Sequence, residues 1–105
     1  MKATIENEEL TRLSEIYQQL SNRVRLQILL HLRTGAACVS ELCEISGVSQ
    51  SATSQHLKQL KATRLVKQER RAQQIYYSLV DDHVEKLLRN GIEHVKGAGC
   101  DENTK

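Results

Sequence analysis

Tryptophan and phenylalanine are absent from this chain and tyrosine occurs only three times, so the core must be filled by Leu, Ile, Val and Ala. No apolar run approaches the ~20 residues of a membrane helix, and the opening MKATIENEEL lacks a signal-like hydrophobic stretch. The expected location is therefore the cytoplasm, with no membrane partner. Cysteine is also scarce: Cys38, Cys43 and Cys100 are an odd set that builds no disulfide framework and fits a reducing compartment. Missing too are G-x-S-x-G, H-E-x-x-H, a phosphate loop and a coherent acid–base pair, which argues against an enzyme.

What is present suits one domain over residues 1–105, small enough to lean on oligomerisation for stability. The net charge of +2 hides an uneven distribution. Between His56 and Arg71 six cations (Lys58, Lys61, Arg64, Lys67, Arg70, Arg71) face one acid, Glu69, a local +5 against −3 elsewhere. Such a segment attracts a polyanion in a salt-dependent way. A solvated basic face is the competing reading.

That segment adjoins SQSATSQHLKQLK, residues 49–61. Ala52, Thr53, Leu57 and Leu60 fall on one side at helical spacing, and that side can pack on a core. Gln50, Ser51, Ser54, Gln55 and Lys58 face elsewhere. Short donors and acceptors on a helix anchored from behind suit the mixed base edges of a DNA major groove.

The remainder supports this helix. Leu10, Leu13, Ile16, Tyr17 and Leu20 predict an amphipathic first helix with Asn7 as cap, and Ser21 or Asn22 marks a break. The apolar positions from Val24 to Leu32 are too dense for one stripe, so the second helix should be buried on more than one side. Gly35 is expected to close it in a left-handed conformation. Ser40 can cap a short third helix; Gly47 then breaks the chain and Ser49 caps the fourth. Two helices joined by a tight turn form a helix-turn-helix, about 40–62. Leu65–Gln68 and Gln74–Leu79 read as strands of a wing, about 65–79. No glycine occurs in their connection, so a loose loop over Glu69–Gln73 is expected rather than a tight turn. Arg70 and Arg71 would sit at its tip. A last helix, about 81–96, carries Val84, Leu87, Leu88, Ile92 and Val95 and should end at Gly97 and Gly99.

With VSELCEISGVSQSATSQHLKQLKATRLVKQERRAQQIYYSL in view, the chain resembles the ArsR/SmtB family of bacterial winged-helix repressors, in its zinc-type final-helix subgroup. Ser51, Ser54, His56, Leu57 and Leu60 match the recognition-helix pattern, and Tyr76-Tyr77-Ser78-Leu79 matches the end of the wing. The resemblance implies a mostly α fold with a β-hairpin wing, acting as a homodimer on double-stranded operator DNA until an inducer releases it. Base selection would fall to Gln50, Ser51, Ser54 and Gln55, with Lys58, Lys61, Arg64, Arg70 and Arg71 on the backbone. Ala72 occupies a wing position often filled by Gly in the family.

Three residues suggest the inducer. His83 and His94 are eleven positions apart, nearly the same helix face but roughly 16 Å along it, too far for one ion. If two copies of the helix pack antiparallel, Asp81 and His83 of one meet His94 of the other, and two equivalent sites form. This is similar to the family's D-x-H and H-x-x-H arrangement, except that Gly97 stands where the fourth ligand belongs. Nitrogen and oxygen donors suit zinc (Zn2+) first, with Co2+ and Ni2+ as alternatives. Without a metal role, Asp81 would be a helix cap and the histidines surface residues.

Cys38 matches the first cysteine of the family's soft-metal pattern C-V-C-D-L, but Ser40 replaces the second thiolate. Cys43 fits core packing, and on a continuous helix it would lie ~140° from Cys38, unfavourable for a disulfide. A thiol- or redox-responsive repressor using Cys38, Cys43 and Cys100 therefore stays open, as does a constitutive DNA-binding module.

Overall fold

The computed structural model describes residues 4–101, with side chains described as far as Gly97. The order is α1 (Asn7–Leu20), α2 (Arg23–Leu32), β1 (Ala37–Cys38), α3 (Val39–Ser46), α4 (Gln50–Ala62), β2 (Val66–Arg71), β3 (Gln74–Leu79) and α5 (Asp82–Asp101). This is a mostly helical winged helix-turn-helix with a small sheet.

The core is aliphatic. Ile28, Leu29 and Leu32 of α2 meet Leu42 of α3, Leu57 and Leu60 of α4, and Val84 and Leu88 of α5. Thus α2 is the central helix that its dense apolar pattern predicts. Asn22 starts it by accepting a hydrogen bond from the Arg25 N–H at 2.9 Å. Its last turn closes at Arg33 in a right-handed conformation, and Gly35 follows at φ 143°, outside the left-handed helical region expected for a cap. Gly47 does take that role, closing α3 at φ 74° with its N–H on the Cys43 carbonyl.

Several boundaries differ from the sequence expectations. Glu6 rather than Asn7 precedes the first helical residue, with its N–H on Glu9 Oε1 at 3.0 Å. Cys38 rather than Ser40 precedes α3, because Ala37 and Cys38 pair with Tyr77 and Tyr76 and form a strand. The sheet is therefore three-stranded, in the order β1-β3-β2. The wing is also tighter than expected. Arg71 pairs with Gln74, so only Ala72 and Gln73 connect the strands. Ala72 permits this turn by taking φ 56°. Finally, α5 passes through Gly97 and continues to Asp101; glycine weakens a helix by about 1 kcal/mol but does not oblige it to stop.

No residue of α1 is buried within the chain. Leu10, Leu13 and Tyr17 on α1 and Val95 on α5 are exposed large apolar side chains.

Candidate functional site

The orientation of α4 is set by its N-terminus and its back. Ser49 Oγ accepts the Ala52 N–H at 3.1 Å, and the Thr53 hydroxyl donates to the Ser49 carbonyl at 2.9 Å. Thr53, Leu57 and Leu60 are fully buried, which turns Gln50, Ser51, Ser54, Gln55, Lys58 and Lys61 to the outside. The structure thus brings the expected base-reading and phosphate-contacting side chains of α4 onto one exposed surface.

Arg64 follows at the end of this helix, exposed and at φ 63°. Arg70 and Arg71 sit on the last two positions of β2, so their side chains leave opposite faces of the hairpin. They are not one cationic tip. Arg71 stacks 5.0 Å from the Tyr76 ring centroid and lies 3.6 Å from Glu69 Oε1.

Sequence periodicity missed Arg25. Its Nη1 donates to Gln59 Oε1 at 2.9 Å and lies 3.4 Å from His56 Nδ1, while its Nε donates to the Gln19 carbonyl at 3.1 Å. The available signal was a cation in the first turn of α2, directly before the dense apolar run over residues 26–32. His56 is accordingly a packing and hydrogen-bonding residue, as its position beside Leu57 suggests. Burial, and then the nearby Arg25 charge, pulls its imidazole below the ordinary value.

At the start of α5, Asp81 Oδ1 accepts the N–H groups of His83 and Val84 at 3.0 and 3.2 Å. The Val84 N–H is the main reason the carboxyl is held below its usual range. The other oxygen, Oδ2, lies 3.5 Å from His83 Nδ1. Two donors bound at ~2.1 Å on a tetrahedral ion stand about 3.4 Å apart. One carboxylate therefore caps the helix and keeps an oxygen at metal-chelating distance from a histidine that is 90% exposed. His94 is exposed farther along the same helix, and no group of three His, Cys, Asp or Glu side chains converges among the described residues of one chain. An added Cβ at Gly97 would meet nothing within 4 Å.

Cys38 and Cys43 are free and half-buried. Cys38 Sγ lies 3.3 Å from Ser40 Oγ, and that hydrogen bond is the largest influence lowering its thiol pKa. The side chain of Cys100 lies outside the described residues.

Comparison with known proteins agrees with this architecture. The family described as "Bacterial regulatory protein, arsR family" matches residues 22–68. The chain is 37% identical over 92 residues to the HTH-type transcriptional regulator NmtR of Mycobacterium tuberculosis, covering 88% of this chain and 77% of NmtR. It is 35% identical over 85 residues to a transcriptional repressor SmtB homolog of Synechocystis, covering 81% of this chain but only 64% of that relative, under two thirds of its length. The crystal structure of NolR from Sinorhizobium fredii superposes with a TM-score of 0.77 at 36% identity, covering 92% of this chain and 98% of NolR. Members of the family are DNA-binding regulators rather than enzymes. The chain belongs to the arsR family of bacterial regulatory proteins.

Proposed function

We propose that this protein is a cytoplasmic, homodimeric transcriptional repressor that leaves its operator DNA when a transition metal, zinc first among them, binds between the two α5 helices. The observation that carries the DNA reading is the exposed stripe of Gln50, Ser51, Ser54, Gln55, Lys58 and Lys61 on a helix whose opposite side is locked in the core. Gln and Ser side chains select bases, while Lys58, Lys61, Arg64 and the wing arginines supply the salt-dependent phosphate contacts. The exposed apolar side chains of α1 and the outer half of α5 favour a second copy as partner.

Asp81 and His83 of one protomer, with His94 of the partner subunit, would hold the metal. A bound divalent ion supplies Lewis-acid attraction for the carboxylate and imidazoles together, tying the two α5 helices in one relative placement. Asp81 needs no rearrangement to contribute, since capping occupies Oδ1 and leaves Oδ2 beside His83. Metal release of DNA requires that the ion favour a dimer geometry in which the two reading heads no longer match the operator spacing, and DNA must weaken metal binding by the same factor.

Fluorescence anisotropy on the protein's own promoter DNA, under reducing conditions with and without stoichiometric zinc, tests this reading. Wild type should bind in a salt-sensitive way and be released by zinc; His83→Ala and His94→Ala should bind equally well and resist release. Zinc-induced release of both variants like wild type would overturn the α5 assignment. Absence of DNA binding would overturn the repressor itself. A thiol-responsive alternative is favoured by the depressed thiol of Cys38 beside Ser40. It predicts release by oxidant that Cys38→Ser abolishes.

A further inference from the structure

The core contacts of α4 are apolar and therefore non-directional, and they resist separation better than rotation about the helix axis. A few degrees of rotation would move every base-reading side chain. Among the described residues, the side-chain hydrogen bonds that reach the back of α4 from another helix come from one guanidinium. Arg25 lies in the first turn of α2, positioned by the Asn22 side chain that accepts its own N–H at 2.9 Å. From there it reaches Gln59 and His56 on α4 and the Gln19 carbonyl in the last turn of α1. The partners on α4 are 31 and 34 residues away in sequence, so this is a tertiary joint rather than a local turn.

Its acceptors are an amide, an imidazole and a backbone carbonyl, all neutral. Among the described residues no carboxylate pairs with Arg25. A half-buried cation without a counter-ion is a poor way to stabilise a helix whose neighbours are leucine and isoleucine. A planar fork with donors in fixed directions is, however, a good way to set the angle between three helices.

We propose that Arg25 is a positioning residue for sequence-specific DNA recognition, fixing the rotation of the reading helix α4 relative to α1. Gln55 and Lys58, the exposed neighbours that immediately precede His56 and Gln59, are the side chains it aims. Because α1 carries exposed Leu10, Leu13 and Tyr17, the same joint keys the reading head to the helix that faces the second copy. The assignment rests on the DNA-binding reading above.

The test measures anisotropy on the protein's own promoter fragment and on a scrambled fragment of equal length, over a range of salt concentrations. Wild type, Arg25→Lys, Arg25→Gln and Gln59→Leu are compared, with thermal melts to establish folding. Lysine keeps the charge without the fork, and Gln59→Leu keeps Arg25 while removing one of its α4 partners. The ratio of own-promoter to scrambled binding should fall roughly tenfold in both Arg25 variants, about the effect of one wrong base pair, and by a smaller factor in Gln59→Leu. Scrambled binding and its salt slope in Arg25→Lys should stay within about twofold of wild type, since phosphate contacts are untouched. The His56 ring nitrogens should shift in the NMR spectrum of each Arg25 variant. Equal losses on both DNAs, or an unchanged ratio in folded Arg25→Lys or Gln59→Leu, would overturn the assignment. Should wild type itself show no preference for its promoter, the repressor reading fails, and this assignment with it.

Discussion

Arg33, at the C-terminal end of α2, donates from both Nε and Nη2 to Oε2 of Glu85 on α5, at 3.2 and 3.0 Å. It is a polar joint between the central helix and the helix that Asp81 caps and that carries His83 and His94. The two side chains are 29% and 31% exposed, so water and salt screen the pair and its contribution to stability is under about 1 kcal/mol. Glu85→Gln should therefore lower global stability only slightly. It should accelerate amide exchange in the first two turns of α5, where Val84 and Leu88 are the buried anchors. Raising salt should reproduce part of the effect in wild type, and unchanged α5 exchange in the variant would show that the apolar anchors suffice.

The wing turn stores strain at Ala72, whose φ of 56° lies in the left-handed region that costs a side-chain-bearing residue about 1–2 kcal/mol. Glycine removes that cost but adds unfolded-state entropy. Ala72→Gly should stabilise the protein by about 0.5–1 kcal/mol in urea unfolding, and Ala72→Val should destabilise it. If Ala72→Gly lowers stability, the two-residue connection is not the conformation adopted in solution.

His56 gives stability a defined pH dependence. Its unfolded imidazole titrates near 6.5, and burial together with Arg25 lowers the folded value. Between the two values the unfolded chain holds the extra proton, so this contribution is complete above about 6.5 and is lost as pH falls through that window. Thermal melts at about pH 7.5 and about pH 5.5 should show a larger drop for wild type than for His56→Gln. Equal drops would show that His56 does not carry the acid sensitivity.

Much of this was readable because local chemistry and burial agree. Ser49, the apolar back of α4 and Gly47 each carry a signal within four residues, and the fourth helix, which the sequence starts after Ser49 and ends at about 62, is Gln50–Ala62 in the structure. Failures occurred where distant partners decide. The strand Ala37–Cys38 has no alternation of its own and exists through Tyr76 and Tyr77. Glu69-Arg70-Arg71 looks like a loop by charge, yet Tyr76, Ile75 and Gln74 pair with it and extend β2. Arg25 carries no periodic signature, since its partners on α4 are over thirty residues away. An antiparallel α5 pair lies beyond what one chain contains, so the proposed metal role rests on donor chemistry and on the Asp81–His83 spacing.

The proposed metal role can be tested by adding a ligand as well as by removing one. His94 and Gly97 are three residues apart on α5, a spacing that shares a helix face. An added Cβ at Gly97 meets nothing within 4 Å, so the protomer can accept a side chain there. Gly97→His would supply the fourth ligand that a closed zinc site favours. It would also remove a helix-interior glycine, worth about 1 kcal/mol, and Gly97→Ala provides that gain without a ligand. In competition with a chelating dye, Gly97→His should bind zinc at least about tenfold more tightly than Gly97→Ala, and zinc should release its DNA at lower concentration. Equal zinc affinity in the two variants would mean that His94 and position 97 do not meet Asp81 and His83 across the dimer, whichever inducer the protein answers to.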